Sequence, residues 1–478
     1  MTITPVAIAI VLIDVGLLIF AVRRPWIALV VLLAGLPFNG ILLDVIGPAL
    51  GITGSTSAGR FALAGWHDAI ALGLVAAAAL DLVRARYLPV KAVEVLGVIV
   101  LLFGLFALLR APDLVAGMYA YRTLYLPIAV ALAILGLAAT EGLPSGVPVQ
   151  AAAVIVAAAV IASVFALWQV YIGGYAYLNL WYHADGGLPA VYSAHFVNQP
   201  RAIGTFHSPN EFGAFLVIAA FLALTPGILA LGRVRPWIGV LLGIALLLTF
   251  SRSSWVGAGL GLVVILVLRN WRPSLRPLGA LVRAQAAPIV VFVAASSLIL
   301  GTSNGARFVE ATLLGDEPSA ASHIGAIGDV FNGESASPRP TPRPSPGSSS
   351  PPVVTGERII VTPLGEGLGT AGPKSARFTG TAPIRHSEIW YLNYAAQVGL
   401  LGLALTAAFV IAILATLWTA RRRPWPAVAT ALVMALGAGA IFIPVIDEPA
   451  VAGPLWAILG LAIVRARSGR SQTIPPPP

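Results

Sequence analysis

The sequence predicts an all-α protein: a polytopic transmembrane helical bundle of about 12–13 spans, with one large extracytoplasmic loop between the late spans. Two observations predict this class. Of the 478 residues, 58% are hydrophobic and only 10% are charged, whereas soluble domains carry roughly 25% charged residues. The apolar residues also fall into runs that reach the ~20 residues a helix needs to cross a bilayer.

About thirteen apolar segments approach spanning length. The pair 236–250 and 253–269 is interpreted as two helices, because the polar break Ser251–Ser254 separates them and together they are too long for one span. The segments lie near 4–22, 26–46, 66–83, 91–110, 115–138, 150–172, 211–231, 236–250, 253–269, 286–301, 388–418, 425–445 and 450–465.

These segments divide the chain into four regions. Residues 1–301 are predicted to be transmembrane helices with short loops, and residues 302–387 to form the large extracytoplasmic loop. That loop contains a Pro/Ser-rich insert at about 337–352, whose composition is typical of a disordered or extended segment. The C-terminal transmembrane helices occupy 388–465, and 466–478 is predicted to be a disordered cytoplasmic tail.

Basic clusters in the short loops predict the orientation. Cytoplasmic loops carry an excess of Lys and Arg, and an odd count of spans places every cluster on one side of the membrane. The expected protein is therefore a multi-pass protein of the cytoplasmic (inner) membrane, with its N-terminus outside. The clusters are Arg23-Arg24, Arg84/Arg86/Lys91, Arg233/Arg235, Arg269–Arg283, Arg421–Arg423 and Arg465–Arg470.

Composition also limits the chemistry. The chain has no cysteine, which excludes disulfides, thiolate metal sites and cysteine nucleophiles. The formal charge of +10 comes almost entirely from arginine, and the only lysines are Lys91 and Lys374. In a membrane protein this excess indicates topology first and anionic ligands second, rather than nucleic acid. The sequence shows no metal-ligand spacing, and no cofactor is expected.

Arginines on the predicted outer side need a separate explanation, because the topology rule disfavours them there. They are Arg201, Arg252, Arg385 and Arg122. A guanidinium binds phosphate oxygens through a bidentate fork, so a group of them suits a diphosphate. Three of them have a structural alternative: Arg252 could snorkel to the headgroups, Arg201 could bind lipid phosphate non-specifically, and Arg122 could pack against a buried carboxylate or carbonyl.

One histidine, His386, stands where a span begins after the large loop. Neutral imidazole accepts a proton near pH 7, which suits a general base for a hydroxyl, although such a histidine is more often a cap or packing residue. Glu388 is two residues away and does not share its helix face. The competing histidines are His207 and His195, which precede the span that Asn210 and Glu211 open.

The glycine run Gly365–Gly369 lacks the preceding strand and the Lys-Ser/Thr pair of a phosphate-binding loop. Two interpretations stay open for it. The amides around Gly367 and Gly369 could form a nest for an anion, or the run could be a tight turn that packs on the membrane surface.

Three stretches taken together resemble the O-antigen ligase and O-antigen polymerase superfamily, which are bacterial polytopic membrane glycosyltransferases. The first is Arg201 with GTF and PNE leading into a span, and the second is TFSRS around Arg252. The third is the glycine run followed by His386 and a helix with GLLG at 399–402. The resemblance covers roughly residues 200–405. It departs from the family at Ser387, where asparagine is frequent, and in the Pro-rich insert.

The resemblance implies a metal-independent glycosyltransferase that uses an undecaprenyl-diphosphate-linked glycan on the outer face of the cytoplasmic membrane, in cell-surface polysaccharide biosynthesis. It implies that Arg201 and Arg252 bind the diphosphate, with Arg122 less firmly placed, and that His386 activates the acceptor hydroxyl. The acceptor stays open: a lipid A core (ligase), a second lipid-linked repeat unit (polymerase) or a protein hydroxyl (O-oligosaccharyltransferase). The alternative from another class is a transporter or flippase of an anionic lipid or sugar. The expected partners are the donor, the acceptor and membrane lipids, with no nucleic acid.

Overall fold

The computed structural model describes residues 5–50, 52, 62–86, 91–174, 200–269, 286–300, 361–372, 389–442 and 445–468. Within these ranges the protein is all-helical and contains no β-strand. In chain order the helices are α1 (Pro5–Arg23), α2 (Pro25–Gly35), α3 (Trp66–Arg84), α4 (Ala92–Leu109), α5 (Leu114–Leu124), α6 (Leu126–Thr140), α7 (Val147–Trp168), α8 (Pro209–Leu224), α9 (Arg235–Leu248), α10 (Arg252–Leu268), α11 (Ala286–Leu300), α12 (Trp390–Trp418), α13 (Pro424–Gly439) and α14 (Pro449–Ser468).

Among the described residues, six helical segments are long and apolar enough to cross a membrane, and a seventh results if the pair α5–α6, bent by 43°, is one span. The remaining apolar helices, such as α8, α10 and α13, are shorter. Many large apolar side chains on the outside of the bundle are exposed, for example Leu12, Leu102 and Val267. Together these features indicate a membrane protein, whose outward apolar surface would face lipid.

The bundle is held by a few extensive helix pairs. The pair α10–α13 packs most extensively, followed by α1–α3, α3–α6 and α6–α14. Small residues permit close approach, since the backbone of Ala435 on α13 lies against Gly257 on α10. The prediction that 236–250 and 253–269 form two helices is confirmed by α9 and α10, which Thr249–Ser251 separate.

Most of the predicted large loop, 302–360 and 373–387, lies outside the described residues, and so does the Pro/Ser-rich insert. The last helix, α14, continues to Ser468, three residues beyond the predicted end of the C-terminal helices at 465. Arg467 explains the extra turn, since its guanidinium forms a two-nitrogen ion pair with both carboxylate oxygens of Glu94 at the start of α4. The rest of the expected tail, 469–478, is outside the described residues.

Contacts from several arginines join the helix ends that lie on one side of the bundle, here called the basic end. Arg465 donates to the carbonyl of Ser145, at 3.2 Å. Arg423 donates to the carbonyl of Arg465, and Arg269 donates to that of Pro226. Four of the predicted basic clusters therefore contain an arginine that donates to a backbone carbonyl near a helix end. These clusters include the ones at 421–423 and 465–470.

Substitution of Arg467 by alanine should destabilise the protein by about 3 kcal/mol, because Glu94 would keep a charge in a site with no partner. The carboxylate side chain is only 9% exposed. Thermal unfolding of the purified protein measures the effect. The matched control is Arg84→Ala, which breaks a pair with Asp81 in which the arginine is 74% exposed and should cost less than about 1 kcal/mol. Equal destabilisation by both variants would contradict a structural role for the Glu94 pair.

Candidate functional site

Apart from Arg122, the sequence-predicted residues that the structure describes lie at the end of the bundle opposite to the basic end, here called the motif end. It is built from the loop 200–208, the turn 249–251, the start of α12, the segment 361–372 and the irregular end of α2. After Gly35, α2 continues through a 3-10 turn at Leu36–Phe38 and a π turn at Leu42–Ile46. Polar side chains from elements far apart in sequence meet here.

The loop 200–208 is held by hydrogen bonds to two other elements. The Thr205 hydroxyl donates to the carbonyl of Pro37 at 2.6 Å. The Gln169 side-chain oxygen, at the end of α7, accepts from the amides of Ile203 and Gly204 at 3.0 and 3.2 Å. All of these groups belong to buried polar side chains or buried backbone, so the loop has a defined conformation.

Arg201 joins this loop to the turn between α9 and α10. Its Nε donates to the carbonyl of Thr249 at 2.7 Å. Its Nη2 donates to Oδ1 of Asn210 at 3.0 Å and to the carbonyl of Phe250 at 3.3 Å. The orientation of the guanidinium plane is thus fixed, because two of its nitrogens donate to protein oxygens. Asn210 is one of those acceptors, so its side chain orients Arg201.

The turn 249–251 carries backbone strain. Phe250 has a φ of +49°, a left-handed conformation that bulky residues rarely adopt and that costs about 1–3 kcal/mol. Hydrogen bonds compensate: the Ser251 amide donates to the Thr249 hydroxyl at 3.2 Å, and the hydroxyls of Ser251 and Ser254 are 2.9 Å apart. Such strain concentrates at functional sites. It directs the chain into α10, whose first residue is Arg252.

The third stretch reaches the same turn through the end of α13. Trp390, the first residue of α12, donates its amide to the carbonyl of Ala440 at 3.0 Å. The neighbouring Gly439 lies against the carbonyl of Ser253, next to Arg252. A continuous path of contacts therefore runs from Arg201 through the turn and α13 to the start of α12. His386, Arg385 and Glu388, which precede this helix in sequence, lie outside the described residues.

The glycine run packs against a break in α12. α12 is broken at Gly399, where φ is +72° and ψ is −178°. The segment 361–372 docks at this break: the amides of Leu400 and Leu401 donate to the carbonyls of Thr362 and Pro363.

The amides of the run are bonded to protein acceptors rather than turned toward an open nest. Those of Glu366 and Gly367 donate to the carbonyls of Ala396 and Gln397, and that of Leu368 donates to Ala107. The Gly369 amide donates to the side-chain oxygen of Gln397 at 2.8 Å. The run therefore packs inside the protein, as neither an open anion nest nor a turn on the membrane surface.

Arg122 belongs to a separate charged cluster between α3 and α5. Its Nε lies 2.9 Å from Oδ2 of Asp68, and Asp68 Oδ1 lies 3.0 Å from Nδ1 of His67. The partly buried carboxylate of Asp68 beside Arg122 agrees with the structural alternative that the sequence left open. The sequence did not predict His67 and Asp68 as its partners, because the local pattern Trp66-His67-Asp68 has no chemical signature.

His207 forms the strongest polar contact of the loop, with a residue that the sequence did not single out. Its Nδ1 lies 2.7 Å from Oδ2 of Asp44, on the π turn of α2. Burial lowers the pKa of His207, but the hydrogen bond and charge of Asp44, with the charges of Glu211 and Glu448, outweigh it and raise the pKa above its ordinary value of 6.5. Ser208 caps α8, since its hydroxyl accepts from the Glu211 amide and donates to the Glu211 carboxylate.

The motif end thus combines the fixed guanidinium of Arg201 with an imidazole–carboxylate pair, which suits binding of an anionic group and proton transfer at a hydroxyl. Within the described part of the chain, no group of three or more metal-ligating side chains occurs. The fold and these groups define a helical membrane protein with a polar site at one end of its bundle. Comparison with known proteins adds no relative: no family model matches the chain, and no curated protein matches it.

Proposed function

We propose that the chain is an integral-membrane glycosyltransferase of the O-antigen ligase and polymerase type. It moves a glycan from an undecaprenyl-diphosphate carrier to an acceptor hydroxyl on the outer face of the cytoplasmic membrane. The observation that carries the proposal is the contact path that joins Arg201, the turn before Arg252 and the start of α12 at one end of the bundle. These are the three stretches on which the resemblance depends.

The proposed chemistry needs no cofactor. Arg201 and Arg252 hold the diphosphate, and their charges stabilise the developing negative charge on its leaving oxygen. The acceptor oxygen forms a bond to the anomeric carbon, the bond from that carbon to the diphosphate oxygen breaks, and the hydroxyl proton passes to a base. The resemblance assigns this base to His386. Arg385 and Arg122 are secondary candidates for the diphosphate, and the ion pair with Asp68 makes Arg122 the weaker of the two.

The proposed topology has 12–13 spans. This number includes the shorter apolar helices, so it is larger than the six or seven segments that are long and apolar enough to cross a membrane by themselves. In this arrangement the basic end faces the cytoplasm and the motif end faces outward, in accordance with the positive-inside rule.

A transporter is the second candidate, because a broken helix such as α12 is typical of secondary transporters, where the open backbone groups bind substrate or ions. In this protein, however, the groups beside Gly399 are bonded to the segment 361–372. The break is therefore filled by the protein itself, and the polar candidates gather at one end of the bundle. Both observations favour the transferase.

The test is transfer from a synthetic polyprenyl-diphosphate glycan in vesicles that contain the purified protein. Acceptors with a lipid A core, a second lipid-linked repeat unit or serine and threonine peptides are supplied in separate arms. We expect wild type to transfer to one acceptor class; if His386 is the base, as the resemblance implies, His386→Ala loses about 100-fold or more while it still binds the donor. The matched control is His323→Ala, in the same predicted loop, which should retain activity.

Three outcomes would contradict parts of this proposal. Equal rates for wild type and His386→Ala would remove His386 from the mechanism. Movement of the donor lipid between leaflets without transfer to any acceptor would favour the transporter. Absence of both activities in a protein that is folded and monodisperse would contradict the proposed function as a whole.

A further inference from the structure

Among the described residues, the contact between Asp44 and His207 is a pair of ionisable side chains at the motif end that neither the resemblance nor the arginine site explains. It joins the π turn of α2 to the loop that carries Arg201, across 163 positions of sequence. A carboxylate only accepts hydrogen bonds, so the contact requires a proton on Nδ1 of His207. In the neutral ring, the lone pair that can take up a proton is therefore on Nε2.

The two partners differ in burial: the carboxylate that orients the ring is buried, and the imidazole is partly accessible. The Asp44 side chain is only 7% exposed, whereas that of His207 is 30% exposed. A buried carboxylate that orients a partly accessible imidazole is the arrangement found in nucleophile-activating triads. Asp44 lies on a π turn. π turns are rare in proteins, and single π turns within helices occur frequently at functional sites.

The position of His207 relative to the arginines follows from the loop. His207 is three residues before Asn210, whose side-chain oxygen accepts from Arg201. Thr205, two residues before His207, is bonded to Pro37 on the same irregular end of α2 that carries Asp44. The imidazole and the guanidinium of Arg201 are therefore held by one short segment, whose ends are bonded to neighbouring helices.

We propose that His207, oriented by Asp44, is the base of the transfer reaction, a role that the resemblance gives to His386. This inference rests on the proposed function. As the acceptor oxygen bonds to the anomeric carbon and the diphosphate leaves with the electron pair of the broken bond, the hydroxyl proton moves to Nε2 of His207. The imidazolium that forms is stabilised by Asp44 and loses its proton to water before the next turnover.

The charges around His207 give a pH dependence with a definite sign. The groups that face it are Asp44 from the end of α2, Glu211 from α8 and Glu448 before α14, and all three are carboxylates. They favour the imidazolium and raise the pKa of His207 above 6.5. Since the base is active when neutral, transfer should increase as the pH rises through this pKa. Removal of the Asp44 charge should move that increase to lower pH.

The experiment measures initial transfer rates from pH 5.5 to 9 in vesicles that contain wild type, His207→Ala, Asp44→Asn or Thr205→Val. We expect His207→Ala to lose about 100-fold or more while it retains donor binding, with partial rescue by added imidazole. Asp44→Asn should shift the rising limb to lower pH. Thr205→Val is the structural control, because it removes a hydrogen bond between the same elements but no titratable group, and its limb should stay at the wild-type pH.

The outcomes separate this inference from the proposed function. If wild type transfers glycan but His207→Ala retains a rate within about fivefold, below the usual range for loss of a general base, the inference is overturned and the function stands. It is also overturned if Asp44→Asn lowers the rate with the limb unmoved, or if imidazole rescues His386→Ala instead of His207→Ala. If wild type transfers nothing under any condition, the proposed function fails first.

Discussion

Replacement of Gly399 by alanine should prevent the protein from accumulating in a folded form. The φ of +72° with a ψ of −178° lies in a region that is essentially restricted to glycine. A Cβ at this position would also lie 2.5 Å from the carbonyl oxygen of Pro363 and closer still to the amide of Gly365. These contacts are with backbone atoms, which cannot rotate away as a flexible side chain can.

The expected loss is several kcal/mol, which is a large share of the roughly 5–15 kcal/mol that stabilises a typical protein. It can be measured as the yield of monodisperse protein in size-exclusion chromatography, followed by thermal unfolding of whatever is recovered. The matched control is Gly259→Ala on α10, where a Cβ would have nothing within 4 Å and alanine is the better helix former. A Gly399→Ala protein with a wild-type melting temperature would contradict the docked arrangement of 361–372.

Replacement of Arg201 by lysine should abolish transfer even though the charge is kept. Arg201 donates from Nε and Nη2 to three acceptors, Thr249, Phe250 and Asn210, whereas a lysine ammonium is a single point donor on a flexible stem. Lysine can therefore neither orient itself between the loop and the turn nor present a planar fork to a diphosphate. We expect a loss of about 100-fold or more, comparable to the removal of a group that stabilises developing charge.

Two measurements separate the contributions of Arg201 to binding and to folding. Donor affinity is measured by titration of the lipid-linked glycan, and stability is measured by thermal unfolding. The matched control is Arg421→Lys, an exposed arginine at the basic end that bonds to the carbonyl of Trp418 and should stay within about twofold in rate. A lysine variant with normal transfer would exclude Arg201 as the diphosphate ligand.

The helices could be predicted from the sequence because hydropathy is a local property. Each apolar run is long enough to be recognised without knowledge of its neighbours, and the polar turn at Ser251 separates α9 from α10 within a few residues of the predicted break. Arg201 and Arg252 could be predicted as candidate ligand-binding residues, because the positive-inside rule disfavours arginine on the predicted outer side of a membrane protein. The same reasoning left the partners of Arg201 undetermined.

The remaining features depend on contacts between residues that are far apart in sequence. Gly399 lies in an apolar stretch that is typical of an unbroken helix, and its conformation becomes necessary only because 361–372 bonds there. Asp44 could not be selected, because a π turn changes the direction of side chains relative to a regular helix. Its partner His207 is 163 residues away, and the partner of Glu94 is 373 residues away. No local pattern encodes either pair.

The docking of residues 361–372 at the helix break at Gly399 also has a consequence for biosynthesis. Residues 361–372 precede α12 in the chain, so they leave the ribosome before the glycine that they contact. Nascent chains fold from their N-terminal side, and the carbonyls of Thr362 and Pro363 are therefore already present when the amides of Leu400 and Leu401 emerge. Protein acceptors for the interrupted backbone of α12 are therefore synthesised before it, which matters because hydrocarbon offers no hydrogen-bond partner.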